Sequence, residues 1–334
     1  MFNFFKSKTD LELIAQLEKQ IGKEIPRLEV EIDIAEVLRE FTVELKKGGR
    51  ANIDKEGLHK IPLDEEGIVL NTNNRVVYFY VSVEEQNLTS LLETVFQLKQ
   101  LLILDLSNSE LSQLPPEIGQ LQNLIWLNLR GNRLSELPPE IVQLQNLALL
   151  SLKRNQFSKR NQFSNLPPEI VQLQNLTVLD LSSNKLSDLP PEIGQLQNLT
   201  WLDLSSNKLS DLPPEIGQLQ NLYQLNLNDN QLSELPPLIL KLQNLTELCL
   251  NDNQLSNLPP EIKKLQNLTQ LSLANNQLSQ FPPALLDLNL EVKWDSECWK
   301  EGIHVIDNPF QTPPVEIVEQ GRQAIIDYYA ALEK

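Results

Sequence analysis

LPPEIGQLQNLTWLDLSSNKLSD, residues 189–211, is one full unit of a 23-residue period, and near-copies of it stand on both sides. A fixed period of this length predicts a solenoid. Each unit of a solenoid contacts only its neighbours, so the chain need not enclose a pocket. We therefore expect function on a long surface rather than in a buried catalytic cleft.

Within this unit, Leu202-Asp203-Leu204 alternates apolar and polar residues, which predicts a short strand with one face in the core. One strand per unit, always in the same direction, predicts a parallel sheet. The Pro213-Pro214 pair can continue neither sheet nor helix and predicts an extended return on the convex side. Asn207 stands at the turn, where its amide can satisfy the backbone groups of adjacent units. It recurs as Asn132, Asn155, Asn184, Asn230, Asn253 and Asn276.

Composition excludes several classes of function. The 334 residues carry a net charge of −17, which argues against general nucleic-acid binding. The start of the chain is a poor signal peptide, and no run of 18 apolar residues could span a membrane. Cys249 and Cys298 fit no disulfide framework and no metal spacing, so a reducing cytoplasm is the expected location.

The pattern of Leu at the strand, Asn at the turn and Pro-Pro at the return resembles the leucine-rich repeat family, in its LPPEI subclass. The resemblance covers residues 78–290, about nine units, and implies an α/β solenoid, a horseshoe with a parallel β-sheet on its concave side. Stepping back 23 residues from the first regular unit predicts a degenerate unit at 78–100 with Tyr78, Val81, Val83 and Leu88 in the core positions. KRNQFS at 153–158 is repeated at 159–164, which predicts an exposed six-residue insertion.

An open solenoid needs atypical caps at its ends. Residues 1–77 are expected to form an α+β N-terminal cap. Thr9-Asp10-Leu11-Glu12 is a capping-box pattern that predicts a helix with Leu11, Ile14, Leu17 and Ile21 on one side. A second helix is predicted to carry Ile34, Leu38, Phe41 and Leu45, and a hairpin is predicted at 68–70 and 76–83 around residues 71–74.

Residues 291–334 are expected to hold an irregular last repeat and a C-terminal capping helix. Asp307-Asn308-Pro309 restores a turn Asn, and 315–332 reads as one amphipathic helix packed through Ile317, Val318, Ile325, Tyr328 and Tyr329. Residues 292–332 are similar to the junction that follows the repeats in bacterial Roco proteins, where a Ras-like GTPase comes next. No phosphate-binding G-x-x-x-x-G-K-[ST] loop exists here, so GTPase activity is not carried over.

The third position of each unit is expected to point outward from the concave face. Its apolar members should form an exposed stripe, and such stripes usually mark partner surfaces, with Trp a frequent anchor. The alternative is that the two Trp residues are partly covered by neighbouring side chains. The row reads Tyr80, Ile103, Trp126, Leu149, Val178, Trp201, Gln224, Glu247 and Gln270.

A local band of basic residues adjoins this row. In an acidic chain such a band suggests an acidic protein partner, although ordinary charge scatter over an exposed loop remains the alternative. The band comprises Arg130, Arg133, Lys153, Arg154, Lys159, Arg160, Lys185 and Lys208.

No residue pattern indicates catalysis, a cofactor or a metal. His59 and His304 are interpreted as surface residues, Cys249 as a neutral filler on the concave face and Cys298 as structural. The sequence thus predicts a non-catalytic protein-interaction module or adaptor in cytoplasmic signalling. The alternative is the regulatory half of a Roco-type GTPase system encoded separately or lost. The identity of the partner and the oligomeric state stay open.

Overall fold

The computed structural model describes residues 9–21, 27–29, 67–70, 76–80, 91–155, 168–297 and 300–332. Strands among these residues join in one sheet, and every neighbouring pair is parallel except β2 and β3. In chain order the strands are β1 Arg27–Glu29, β2 Gly67–Leu70, β3 Val76–Tyr80, β4 Ile103–Asp105, β5 Trp126–Asn128, β6 Leu149–Ser151, β7 Val178–Asp180, β8 Trp201–Asp203, β9 Gln224–Asn226, β10 Glu247–Cys249, β11 Gln270–Ser272, β12 Val292–Lys293 and β13 Gly302–His304.

Each repeat strand has only three residues, and its middle leucine faces the core. Leu202 is fully buried and packs in a continuous cluster with the middle leucines of the neighbouring strands. Because successive side chains of a strand alternate between faces, the two flanking residues point to the opposite side. The predicted α/β solenoid with a parallel sheet is confirmed.

Opposite the sheet, the chain returns through short 3₁₀ helices. Pro213 is extended with φ −64° and ψ 140°, Pro214 begins the helix, and Ile216 is buried inside it, so the predicted Pro-Pro return is confirmed. Proline is tolerated at a first helical position, where its missing N–H would be unpaired anyway. The helices are Pro116–Gln120, Pro139–Gln143, Pro168–Gln172, Pro191–Gln195, Pro214–Gln218, Pro237–Lys241, Pro260–Lys264 and Pro283–Leu288.

A ladder of buried asparagines joins the units. Nδ2 of Asn207 donates to the carbonyl of Leu204 in its own unit and to that of Leu181 in the preceding unit, both at 3.0 Å. Its Oδ1 accepts the backbone N–H of Leu186 at 3.1 Å. Each of the following also donates to a carbonyl of the preceding unit: Asn132, Asn155, Asn184, Asn230, Asn253, Asn276 and Asn308.

A second asparagine column, not anticipated from the sequence, runs along the side of the 3₁₀ helices. Asn221 Nδ2 donates to the carbonyl of Gln197 in the preceding unit at 2.8 Å, and the side chain is exposed. The corresponding bonds are made by Asn123, Asn146, Asn175, Asn198, Asn244 and Asn267. Since water competes at this surface, we expect each of these bonds to stabilise the fold less than a ladder bond.

The capping box begins helix α1, Asp10–Ile21, as predicted. Thr9 N donates to Glu12 Oε2 at 2.7 Å, and Glu12 N donates to Thr9 Oγ1 at 3.3 Å. One face of the helix packs on the core through Leu13, Ile14 and Leu17. The expectation for Leu11 was wrong, because the face that meets the core starts at Leu13 and leaves Leu11 45% exposed.

The first strand of the repeats is displaced from the predicted register. The hairpin pairing of β2 with β3 is confirmed, but β3 joins β4 with Tyr78 opposite Ile103 and Phe79 opposite Leu104. The step is therefore 25 residues instead of 23, whereas the predicted core residues Val81, Val83 and Leu88 lie outside the described ranges. Phe79 is fully buried there, and Tyr80 lies opposite Asp105, one row from its expected place.

The last unit is longer than the others and crosses itself. β13 lies between β11 and β12, so β12, which comes earlier in the chain, forms the edge of the sheet. Asn308 restores the ladder, as predicted, by accepting the N–H of Leu278 at 3.1 Å. The single predicted helix at 315–332 is wrong: it breaks into α2, Val315–Val318, and α3, Arg322–Leu332, because Gly321 between them adopts φ +87°.

Packing by the C-terminal helices agrees in part with the prediction. Val318 and Ile325 are buried, and Ile317 and Tyr329 pack on the core from the side. Tyr329 also donates its hydroxyl to the carbonyl of Phe281 at 2.7 Å. Several predictions concern residues outside the described ranges: the second N-terminal helix, His59, Cys298 and the insertion at 159–164.

Replacing Asn207 by Ala should lower the free energy of unfolding by about 3 kcal/mol or more, because three buried backbone groups lose their partner. Asn221→Ala is the matched control, with one exposed bond, and should cost about 1 kcal/mol or less. Urea unfolding followed by circular dichroism compares the two. Equal losses in the two variants would show that the ladder does not carry the stability assigned to it.

Candidate binding surface

Two rows of side chains cover the sheet face opposite the leucine core, which we call the outer sheet face. Within each strand they flank the core residue and lie in register from unit to unit. The first row is Ile103, Trp126, Leu149, Val178, Trp201, Gln224, Glu247 and Gln270. The second row is Asp105, Asn128, Ser151, Asp180, Asp203, Asn226, Cys249, Ser272 and His304.

The first row is contiguous, as predicted, but the expected exposure of its apolar part was wrong. Ile103, Trp126, Leu149, Val178 and Trp201 are between 1% and 7% exposed. They do not belong to the leucine core cluster. Parallel strands lie about 4.8 Å apart, so side chains of one row pack flank to flank and remove each other from water. The alternative interpretation, in which neighbouring side chains cover the two Trp residues, describes the surface better.

Trp126 is nevertheless short of one hydrogen bond. Its Nε1 is buried, and within the described residues no acceptor reaches it. A buried indole N–H usually has a partner.

The C-terminal part of the first row is polar, with one contact along the row and one contact to the second row. Gln224 Nε2 donates to Glu247 Oε2, and Gln270 Nε2 lies 3.8 Å from the thiol of Cys249. Gln224 Oε1 is buried without a hydrogen-bond partner among the described residues. Cys249 lies on the outer sheet face, as predicted, and is buried there.

Two aspartates stand side by side in the second row, a feature that sequence analysis missed although both residues are visible in the alternation of the strands. Asp180 in β7 lies in register with Asp203 in β8. Ser182 donates to Asp180 Oδ1 from its backbone N at 2.9 Å and from its hydroxyl at 2.6 Å. Asp203 accepts from Ser205 N at 2.8 Å and from Asn226 Nδ2 at 3.2 Å.

Burial and like charge make both carboxyl groups weaker acids. Burial, followed by repulsion from Asp203, raises the pKa of Asp180 from 3.8 to about 6, although Lys153 and Ser182 oppose the shift. Burial also raises the pKa of Asp203, against the hydrogen bonds from Ser205 and the attraction of Lys153. The ionised pair therefore disfavours the folded state near neutral pH.

Two of the predicted basic residues, Arg130 and Lys153, interact electrostatically with this pair, and Arg154 interacts with Arg130. Burial and repulsion from Arg154 lower the pKa of Arg130, and the attraction of Asp180 partly offsets them. Lys153 is half buried and attracts both aspartates, whereas Arg154 is exposed in a left-handed turn with φ +54°. Part of the basic band therefore faces acidic groups of the chain itself.

The other three described basic residues directly follow a ladder asparagine and form a separate, exposed column. Arg133 pairs with Glu110 at 2.9 Å, an exposed pair that adds little to stability. Lys185 and Lys208 are exposed, and no ion pair with another described residue is found for either. The predicted band is thus two columns rather than one patch, and Lys159 and Arg160 lie outside the described ranges.

At the C-terminal end of the second row, Ser272, His304 and Asp295 have the residue types of a hydrolytic triad but not its geometry. His304 Nδ1 contacts Asp295 Oδ1, while Nε2 lies 2.7 Å from the carbonyl of Lys300. Both ring nitrogens are therefore engaged, and neither bonds Ser272 Oγ, which is buried without a partner among the described residues. A general base must reach its nucleophile, and this arrangement lacks that contact.

His304 is fully buried, so its interpretation as a surface residue was wrong. Its two contacts tie Asp295 and the carbonyl of Lys300, which lie in the chain between β12 and β13, to the sheet. Although burial opposes it, the hydrogen bond from His304 lowers the pKa of Asp295. Asn251 Nδ2 binds the same segment through the carbonyl of Ser296 at 3.1 Å.

Metal-binding clusters and membrane-spanning helices are absent from the described residues. No group of three or more His, Cys, Asp or Glu side chains among them could hold a metal ion. None of their helices is both long enough and apolar enough to cross a membrane.

Comparison with known proteins agrees with the fold. A family model of the leucine-rich repeat region matches residues 74–160 and 191–290, and a second leucine-rich repeat model matches residues 159–209. A leucine-rich repeat protein of Leptospira interrogans is 35% identical, with a TM-score of 0.60 over 77% of this chain. The chain spans 64% of the length of that protein.

Two internalins of Listeria monocytogenes share the fold. One is 27% identical, with a TM-score of 0.51 over 57% of this chain and 79% of its own. The other is 22% identical, with a TM-score of 0.50 over 66% of this chain and 69% of its own, a likeness of fold alone. No curated protein matches the chain.

Replacing Asp180 by Asn should stabilise the protein at pH 7 by on the order of 3 kcal/mol at most. Between pH 3.8 and about 6 the folded chain binds more protons than the unfolded chain, so wild-type stability falls as the pH rises through this window. The Asn side chain does not ionise, so the variant does not lose this stability as the pH rises. Urea midpoints at pH 7 and pH 4 measure the effect, which should shrink at pH 4.

Asp211→Asn, at an exposed turn, is the control and should change stability by about 0.5 kcal/mol or less. Equal midpoints for wild type and Asp180→Asn at pH 7 would contradict the assigned cost of the aspartate pair.

Proposed function

The chain belongs to the leucine-rich repeat family, whose members generally mediate protein–protein interaction, and from this premise we propose a non-catalytic module that binds a protein partner on its outer sheet face. The single observation that carries the proposal is the outer sheet face itself. It is one continuous, registered surface from β4 to β11 whose side chains differ from unit to unit, while the core and ladder residues repeat.

The proposed contact surface is centred on β5 to β8. Its support is the continuous apolar part of the first row, which comprises Ile103, Trp126, Leu149, Val178 and Trp201. Because these side chains are already packed against each other, they offer a partner a preformed surface that loses little conformational entropy on binding. We include Tyr80, which lies opposite Asp105, at the N-terminal border of the proposed surface.

An acidic segment in the partner is the finer part of the proposal. Arg154, Lys185 and Lys208 are exposed, and Arg130, Arg133 and Lys153 belong to the same or neighbouring units. In a chain with a net charge of −17, this local group of basic residues can steer an acidic segment to these units. Rim charges of this kind act chiefly on the rate of association and its salt dependence.

A non-catalytic role is supported by the chemistry of the outer sheet face. Ser272, His304 and Asp295 do not form a proton relay, and Cys249 is buried beside Gln270. We propose an adaptor in cytoplasmic signalling, for which the two widely separated cysteines offer support, since they fit no disulfide framework.

The alternative is a regulatory half of a Roco-type GTPase system. Its support is the sequence of residues 292–332, whose Asn308 continues the ladder and whose helices α2 and α3 follow directly. The two candidates differ in what they bind. A partner with a phosphate-binding loop among the captured proteins favours the alternative, and a partner without one favours the adaptor.

The triple change Arg154→Glu, Lys185→Glu and Lys208→Glu, called the column variant, reverses three exposed charges of the basic band and should weaken capture of an acidic partner at least 10-fold, because attraction becomes repulsion. The protein is immobilised, exposed to lysate of its native cell at about 0.1 M salt, and the bound proteins are quantified by mass spectrometry. Capture of the acidic partner by the wild-type chain should decrease as the salt concentration is raised, because salt screens the attraction.

Lys241→Glu, Lys263→Glu and Lys264→Glu form the matched control, because they change the charge equally on exposed positions of the 3₁₀ side. Partners should be retained by wild type and control and lost by the column variant. Equal retention by both triple variants would refute binding at these units.

A further inference from the structure

Part of the connection between β12 and β13 lies on the outer sheet face. We call its described residues, 294–297 and 300–301, the strap. β12 forms the edge of the sheet, followed inward by β13, β11 and β10. Ser296 nevertheless accepts a hydrogen bond from Asn251, which lies two residues after β10. The strap therefore reaches back from the edge across the width of two strands, at the C-terminal end of the outer sheet face.

The sheet meets the strap with hydrogen-bond donors whose directions the sheet itself fixes. Asn251 Oδ1 accepts the backbone N–H of Ala274 at 2.8 Å, so Nδ2 is the atom that meets the strap. His304 is fully buried in the second row, and its Nε2 lies 2.7 Å from the carbonyl of Lys300. A carbonyl can only accept, so this nitrogen donates. Both donors are therefore preorganised for a segment that carries acceptors.

The strap supplies the acceptors in these contacts. They are the carbonyl groups of Ser296 and Lys300 and the carboxylate of Asp295, which contacts His304 Nδ1. Hydrogen bonds to a carboxylate are of the stronger, charge-assisted kind. The strap thus presents one acidic side chain and two backbone carbonyls to the sheet, as an acidic segment of another protein would.

Beyond its first residue the strap is held mainly by polar contacts. Trp294 packs against the core and anchors that residue. The side chain of Asp295 is 40% exposed, and the backbone bond from Ile306 N to Asp295 O is long, at 3.4 Å. The remaining strap residues, Ser296, Glu297, Lys300 and Glu301, are exposed. Segments with few buried apolar contacts and exposed hydrogen bonds open at a low free energy, so the strap can leave the sheet without unfolding of the repeats.

We propose that the strap is a built-in competitor of the partner, and that an acidic segment of the partner displaces it and bonds Asn251 and His304 in its place. This inference rests on the proposed function and deepens it, because it adds a contact at β10, β11 and β13 that the chain itself controls. The exposed Lys185 and Lys208 attract the same kind of segment.

One extended segment can serve both regions. Neighbouring strands are about 4.8 Å apart, so the four steps from β8 to β13 measure about 19 Å, which about six extended residues span. Competition by the strap lowers the apparent affinity of the wild-type chain in proportion to the fraction of molecules whose strap is open. A strap that is open about one-tenth of the time therefore weakens binding about 10-fold.

The test uses displayed random dodecapeptides selected on Asp295→Ala, which removes the carboxylate of the strap and leaves the donors of Asn251 and His304 in place. Selected peptides should share an Asp or a Glu. Calorimetry should show that they bind Asp295→Ala at least 10-fold more tightly than the wild-type chain. Glu291→Ala is the matched control, because it removes the same charge from an exposed residue just before β12, and it should bind as the wild-type chain does.

Asn251→Asp tests the sheet side of the contact. It keeps the oxygen that accepts the N–H of Ala274 and replaces the donor Nδ2 by a second oxygen. The peptides should bind Asn251→Asp/Asp295→Ala at least 10-fold more weakly than Asp295→Ala. The control Gln122→Glu/Asp295→Ala adds the same charge at an exposed position beside the 3₁₀ helix Pro116–Gln120 and should keep the affinity of Asp295→Ala.

Unfolding midpoints show whether Asp295→Ala folds, since the change leaves His304 buried without its carboxylate partner. If this variant does not fold, peptides are selected on the wild-type chain, and Asn251→Asp alone should weaken their binding at least 10-fold. Equal affinity of the wild-type chain and Asp295→Ala, selected peptides without an acidic residue, or binding that is unchanged by Asn251→Asp would overturn the proposal.

The design separates failure of the strap from failure of the proposed function. Peptides that lose affinity for the column variant but bind the wild-type chain and Asp295→Ala equally would overturn the strap alone. Peptides that prefer Asp295→Ala and are indifferent to the column variant would support the strap and overturn the part of the basic band. If no peptide binds, or binding is indifferent to the column variant and to Asn251→Asp, both proposals fall.

Discussion

The asparagine ladder is the interaction on which the rest of this structure depends. A strand of three residues followed by an immediate turn leaves carbonyl and N–H groups that no regular element can satisfy. Asn207 bonds two carbonyls and one N–H at once, and two of these three groups belong to the unit before it. The ladder therefore fixes each unit against its neighbour, and the register of the sheet follows from it.

That register also determines the properties of the outer sheet face. Side chains at equivalent positions are brought to strand spacing, so Trp201 is covered by Val178 and Gln224 beside it, and Asp180 is forced against Asp203. The same geometry that removes apolar side chains from water removes carboxylates from water. The open sheet surface thus still creates buried polar groups with shifted pKa values, the kind of environment usually associated with pockets.

The sequence predicted those features that repeat, because repetition shows which positions backbone and core require. It predicted the strands, the ladder and the Pro-Pro return, and the capping box at Thr9 and Glu12. The sequence-based prediction failed where a single residue determines the local structure. Phe79 occupies the core position two residues before the one extrapolated from the 23-residue period, and Gly321 divides a helix. Burial of the site residues and of His304 also escaped prediction, since exposure depends on neighbours that periodicity alone does not measure.

The two irregular units show where the fold permits variation. The ladder asparagine Asn132 stands six positions after Trp126, the first residue of its strand. In the enlarged last unit Asn308 likewise stands six positions after Gly302. Both extra segments, 159–164 and the crossing at 294–301, lie after a ladder asparagine and before the next strand. Strand and asparagine must keep their spacing because one amide serves two units, whereas the return path has only to reach the next strand. The number of residues can therefore vary only on the return path. Variation on the outer sheet face must come from substitution. For this reason the two rows of the outer sheet face, and not the insertions, carry the proposed specificity.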